Sequence, residues 1–146
     1  LRALRNQAEK SALRRIEFHG RQVPDDFYRR AAIFFMTSAF EGFPNTLVEA
    51  QSYGSVPVVF DSYPVASWIV EAGVNGELVR PFEVGEMADL IVALARDEDR
   101  RRTTAENALE SARRFRIENV GEIWQVLFEA EVPKHSDWRP AETHGK

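Results

Sequence analysis

The chain has 146 residues, 44% of them hydrophobic, 11% aromatic and 29% charged, which is a globular composition on the scale of one domain. A formal net charge of −4 argues against a general nucleic-acid binder, whose affinity comes largely from neutralising phosphates with Lys and Arg. The lack of cysteine excludes disulfide scaffolds, zinc ribbons and thiol nucleophiles. Apolar runs such as Ala31 to Met36 fall far short of the ~20 residues of a membrane-spanning helix.

Leu1, Leu4, Ala8 and Ala12 recur at helical spacing among polar residues and predict a surface helix. Ile16-Glu17-Phe18, ending at Gly20, reads as a short strand. Pro24 and Asp25-Asp26 open a short helix through Tyr28 and Ala31. Ile33 to Met36 is a continuous apolar run, as in a parallel strand covered on both faces. Pro44 to Tyr53 predicts a helix stopped by Gly54. Val56 to Phe60 is the third strand, with Pro57 near its start. A helix over Ala66 to Ala72 and a turn at Val74-Asn75-Gly76 lead to a fourth strand, Glu77-Leu78-Val79.

Met87, Leu90, Ile91 and Leu94 sit at i, i+3, i+4 and i+7 of an amphipathic helix. A highly charged helix follows over Asp99 to Phe115. Asn119 with Glu122 three residues on predicts a capping-box start for a last helix carrying Val120, Ile123, Trp124 and Leu127. Residues 132–146 are polar and aperiodic and are expected to form a flexible tail after a domain of residues 1–131. The alternation predicts an α/β fold with a Rossmann-like parallel sheet of about four strands and helices on both faces. Ligands of such sheets lie beyond the carboxyl ends of the strands.

The chain contains no G-x-G-x-x-G, Walker A, H-E-x-x-H or G-x-S-x-G motif. Its chemistry concentrates in Ser38 to Ala50, immediately after the Ile33–Met36 strand. Glu41 stands in the loop, and Gly42 lets a backbone come close to a ligand. Pro44, Asn45 and Thr46 open a helix whose free amides and dipole suit a phosphate or diphosphate. Glu49, at i+4 from Asn45, can face the same cleft, where a carboxylate suits a pair of vicinal hydroxyls. The same acids also fit a plain structural reading, one placed for the helix dipole and the other on a solvated face, and the residues alone leave both open.

Glu41-Gly42-Phe43-Pro44 with Glu49, seven residues between the glutamates, resembles the signature of the retaining glycosyltransferases of family 4. Glu49-Ala50 with Gly54 to Val59, and Ile69-Val70-Glu71 with Gly73 to Gly76 and Leu78-Val79, resemble further segments of that family in the same order. The resemblance covers roughly residues 16 to 130. It implies the GT-B architecture, two Rossmann-like domains with the active site between them, of which this chain would be an incomplete C-terminal, donor-binding part. It further implies a sugar transfer from a UDP- or GDP-linked donor to a hydroxyl, in bacterial polysaccharide or lipopolysaccharide synthesis, with retention of configuration. Glu41 would contact the transferred sugar as the catalytic residue, Glu49 the ribose, and the Gly42, Phe43, Pro44, Asn45 and Thr46 backbone the diphosphate or sugar. Gly20 and Arg21 would lie by the base, and no metal or other cofactor is expected.

The family's Arg and Lys that clamp the diphosphate have no counterpart, since the lysines are Lys10, Lys134 and Lys146. A start at Leu1, inside a helical pattern, is read as a cut from a larger enzyme whose N-terminal acceptor domain is missing, so this chain alone is expected to be inactive. The expected partners are the donor and that domain, not nucleic acid, and the full-length enzyme is expected in the cytoplasm, with peripheral attachment at the inner face of the membrane. An unpaired edge at Ile16–Phe18 or Ile33–Met36 would favour a homodimer of the fragment. Two alternatives stay open: another GT-B enzyme, such as a sugar-nucleotide epimerase, and a non-catalytic nucleotide- or protein-binding domain.

Overall fold

The computed structural model describes residues 2–11 and 15–131. Three parallel strands, β1 (Ile33–Met36), β2 (Val56–Phe60) and β3 (Glu77–Val79), form one sheet in the order β1-β2-β3. Val56 pairs with Ile33, and Val58 with Glu77, so β2 is flanked on both edges. The described residues also form seven α-helices: α1 (Arg2–Lys10), α2 (Asp25–Arg30), α3 (Asn45–Ser52), α4 (Pro64–Ile69), α5 (Val84–Arg96), α6 (Glu98–Ala112) and α7 (Ile117–Glu131).

The alternation of β2 divides the core. Val56, Val58 and Phe60 point to one side, where Met87 and Leu94 of α5 and Val79 of β3 join them. Val59 points to the other, against Leu47 of α3, Ala66 and Ile69 of α4, Tyr63 and Val70. Each fully buried Leu or Val here contributes roughly 1.5–3 kcal/mol through the water it gives up. The parallel α/β sheet with helices on both faces is therefore the expected one.

Three details differ from the sequence reading. Among the described residues the sheet has three strands, because Ile16–Phe18 forms none. Among the described residues no strand pairs with it; the Phe18 carbonyl instead accepts from the Arg5 guanidinium at 3.2 Å, and Ile16 stays exposed. The helix expected over Ala66–Ala72 runs Pro64–Ile69, opened by Pro64 where its missing N–H costs nothing. The last helix begins at Ile117, two residues before the expected cap, and the Asn119 side chain donates to the Arg113 carbonyl at 2.7 Å. No residue of α7 is buried, and Ile117, Ile123, Trp124, Val126, Leu127 and Phe128 are exposed. The expected tail lies outside the described residues.

Two turns fix how the elements meet. Helix α3 ends on Gly54, whose φ of 77° suits a residue without Cβ, and the Gly54 and Ser55 amides bond back to the Gln51 and Ala50 carbonyls at 2.9 and 3.0 Å. Buried Ser55 then donates to the Ala31 carbonyl at 2.8 Å, holding the end of α2. Before β3, Gly76 lies against β2: a Cβ there would stand 2.5 Å from the Pro57 ring and 2.8 Å from its carbonyl oxygen.

Helix α2 is held down by Tyr28. Its ring stacks on Tyr53 at 5.7 Å, and its hydroxyl donates to Glu49 Oε2 on α3 at 3.2 Å. Burial first, then the Glu49 hydrogen bond and charge, push the phenol up to about 12 from 10.0.

Two outcomes follow from this packing. Gly76→Ala should lower stability by about 1–3 kcal/mol in urea unfolding, since backbone as well as side chain must move. The raised Tyr28 phenol implies that between pH 10 and 12 the folded chain keeps a proton that the unfolded chain has lost. Stability is then complete below pH 10 and falls as pH rises through 12. Solvent around α2 screens the loss to about 1 kcal/mol, and Tyr28→Phe should abolish that component of the alkaline decline.

Candidate functional site

At the carboxyl end of β1 the chain enters a loop, residues 37–44, that leads straight into α3. Pro44 and Leu47 are fully buried and set where the helix starts. The loop is tied to the segment after β2 by the Ser62 hydroxyl, which donates to the Ser38 carbonyl at 2.8 Å. The start of α3 has neither a capping side chain nor an acid in its first turn. The Asn45 amide donates to the Phe43 carbonyl at 3.0 Å, and those of Leu47 and Val48 to the Pro44 carbonyl at 3.0 and 3.4 Å. Among the described residues nothing accepts from the amides of Gly42, Phe43 or Thr46. Unused N–H groups and the positive end of a helix dipole together favour an anion.

Two carboxylates flank this turn. Glu41 is half-buried and lies near Tyr63, whose phenol is pushed up by burial and, secondarily, by the Glu41 charge. Glu49 is exposed on α3, with Oε2 taken by Tyr28. Gly42 is exposed with a φ outside the left-handed region, and no atom lies within 4 Å of where its Cβ would be. The fold itself therefore asks nothing of glycine there. Asn45 and Thr46 are exposed in the first turn. The Phe43 ring meets Phe115 edge-to-face at 5.7 Å, and Phe115 also meets Trp68 at 5.4 Å and the Arg114 guanidinium at 4.7 Å.

Gly20, with a φ of 69°, turns the chain at a shallow cleft of about 250 Å³ lined by His19, Gly20, Gln22, Pro24 and Phe27. Gln22 Nε2 donates to the His19 carbonyl at 2.9 Å, and the His19 and Phe27 rings meet at 4.8 Å. Arg21 is exposed and does not line this cleft. Phe27 and Tyr28 are neighbours on α2, so α2 joins the Gly20 turn to Glu49. Gly20 and Glu49 nevertheless line different hollows, since Glu49 borders one of about 260 Å³ with Val48, Ser52 and Phe115; Glu41 and the Gly42–Thr46 turn lie before α3 and Glu49 within it.

A wider hollow of about 650 Å³ beside α5 is lined by Arg80, Glu83, Glu86 and Asp89 among others. Arg80 is already paired with Glu86 at 3.0 Å, so the charge there is unsuited to an anion. Among the described residues no group of three His, Asp or Glu side chains is arranged to hold a metal ion, and no helix is long and apolar enough to cross a membrane. Tyr28, which hydrogen-bonds Glu49, was not legible beside the site in the sequence: it stands in no motif, and only the packing of α2 brings it there.

The family model for glycosyl transferases group 1 matches residues 1–111. A poly(glycerol-phosphate) alpha-glucosyltransferase of Bacillus subtilis is 30% identical over 101 residues, 69% of this chain and 15% of that protein. A lipopolysaccharide 1,6-galactosyltransferase of Salmonella typhimurium is 40% identical over 60 residues, 41% of this chain and 17% of that protein. The solved structure of Anabaena HepE in complex with UDP and glucose superposes with a TM-score of 0.81 at 26% identity, covering 88% of this chain and 36% of HepE. The chain thus spans about a sixth of each of these two curated relatives and about a third of the solved one. With the matched residues running through the β1–α3 turn and the whole sheet, the chain belongs to the group 1 glycosyl transferases, with the α/β architecture of their GT-B domains.

Proposed function

We propose that this chain is the donor-binding part of a retaining glycosyltransferase. The whole enzyme moves a hexosyl group from a UDP- or GDP-sugar to a hydroxyl in the synthesis of bacterial polysaccharide or lipopolysaccharide. The observation that carries this reading is the bare N-terminal turn of α3, with unused amides at the end of a parallel strand and one carboxylate on either side. It agrees with the bound UDP and glucose of HepE, and with the sugar transfers named for the bacterial relatives.

In this reading the amides of Gly42 to Thr46 and the α3 dipole face the diphosphate, where negative charge grows as the bond to the anomeric carbon breaks. Fixed dipoles stabilise that charge without reorganising. Glu41 binds hydroxyls of the transferred sugar and orients its ring. Glu49 accepts from the ribose hydroxyls, and the Gly20 turn with its aromatic wall takes the base. The diphosphate-clamping cations and the acceptor domain are assigned to parts of the enzyme outside this chain.

Titration and kinetics of the full-length enzyme test these roles. Glu41→Ala should reduce kcat by a hundredfold or more while leaving the affinity for UDP, which lacks the sugar, within about threefold. Glu49→Ala should weaken UDP by about tenfold or more, the worth of a hydrogen bond to a charged group. Unchanged donor affinity and transfer in both variants would refute the site. This chain by itself should bind UDP weakly and transfer no sugar; enzyme-level turnover would overturn its reading as a donor-binding part.

A further inference from the structure

An exposed glutamate on a short helix normally samples several rotamers, yet the Glu49 carboxylate is held. Its Oε2 accepts from the Tyr28 hydroxyl at 3.2 Å, and the phenol that donates is itself packed on several sides. The Tyr28 ring is 8% exposed, stacks on Tyr53 at 5.7 Å and meets Phe34 edge-to-face at 6.3 Å. Tyr53 in turn hydrogen-bonds Asp25, and the Arg29 guanidinium lies over its ring at 5.1 Å. The backbone under Tyr28 is fixed as well: its carbonyl is 3.3 Å from the Ser55 hydroxyl, which also holds the Ala31 carbonyl.

We propose that Tyr28 is a positioning residue that holds the Glu49 carboxylate ready for the ribose hydroxyls of the donor. The proposal rests on the reading of Glu49 given above. An ionised carboxylate has about four acceptor sites on two oxygens. One donor from Tyr28 uses one of them, so Oε1 and a lone pair of Oε2 stay free for a vicinal diol. The donor is neutral and the acceptor charged, which makes the bond charge-assisted. A phenol whose ionisation is pushed up to about 12 remains a donor throughout the range in which enzymes work. Fixing the side chain in advance removes an ordering cost that binding would otherwise carry, worth about threefold to tenfold in affinity.

The readout is ribose discrimination, the ratio of Kd for 2′,3′-dideoxy-UDP to Kd for UDP, measured by calorimetry on the full-length enzyme. Glu49→Ala should bring that ratio close to one. Tyr28→Phe keeps the ring and its stacking, and a melting curve checks that it is folded. It should lower the ratio by about threefold or more, and the double variant should fall no further than Glu49→Ala alone. If Tyr28→Phe melts earlier but keeps the full ratio, Tyr28 is only a packing residue and the proposal fails. If Glu49→Ala keeps the ratio, the ribose role of Glu49 fails first, and the proposal with it. The two failures are thus told apart by which single variant leaves discrimination intact.

Discussion

Burial of β2 on both faces and both edges governs the arrangement of everything around it. All five of its residues are buried, so each flanking element must present an apolar surface to it at a fixed height. Val56, Val58 and Phe60 dictate the stripe that α5 carries, and Val59 dictates where Leu47 and Ile69 must stand. Pro57 is tolerated inside the strand, and Gly76 is the counterpart that lets the following segment pass over its ring. A close-packed interior of this kind leaves no room for a change of register, because one residue of slip would exchange the two sides of the core.

That constraint reaches the site through the strand ends. Parallel pairing of β1 and β2 brings the 37–44 loop and the 61–63 segment to the same end of the sheet, where Ser62 and Ser38 fasten them together. Buried Pro44 and Leu47 then pin the start of α3, so its free amides are aimed by the core instead of by a capping side chain. The aromatic group of Phe43, Phe115 and Trp68 closes the other side of that turn, with Arg114 donating to the Trp68 carbonyl at 2.6 Å. A polar feature with no partner of its own is thus supported by apolar contacts on several sides.

Much of this was readable from residue order. Continuous apolar runs at Ile33–Met36 and Val56–Phe60, and the i, i+3, i+4 spacing of Met87, Leu90, Ile91 and Leu94, located strands and a helix that the structure contains. The Glu41 to Glu49 segment stood out because an acid, a glycine and a helix start followed a buried strand. Ile16–Phe18 misled because alternation over three residues carries no information about a neighbour to pair with, and none pairs with it among the described residues. Asn119 misled because a good capping residue does not say whether the helix has already begun. The hydrogen bond of Glu49 with Tyr28 could not be read at all. It spans 21 positions of sequence and depends on how α2 and α3 pack.

The hydrogen bond between Tyr28 and Glu49 also makes α2 and the α3 turn thermodynamically reciprocal. A ligand that binds Glu49 better when the carboxylate is held must, by linkage, hold α2 more firmly when it binds, and by the same factor. Helix α2 carries Phe27, part of the wall beside the Gly20 turn. Occupancy at Glu49, as proposed for the donor ribose, would therefore be felt at the Gly20 turn through the six residues of α2, as slower amide exchange along Asp25–Arg30 with no change in the shape of the backbone.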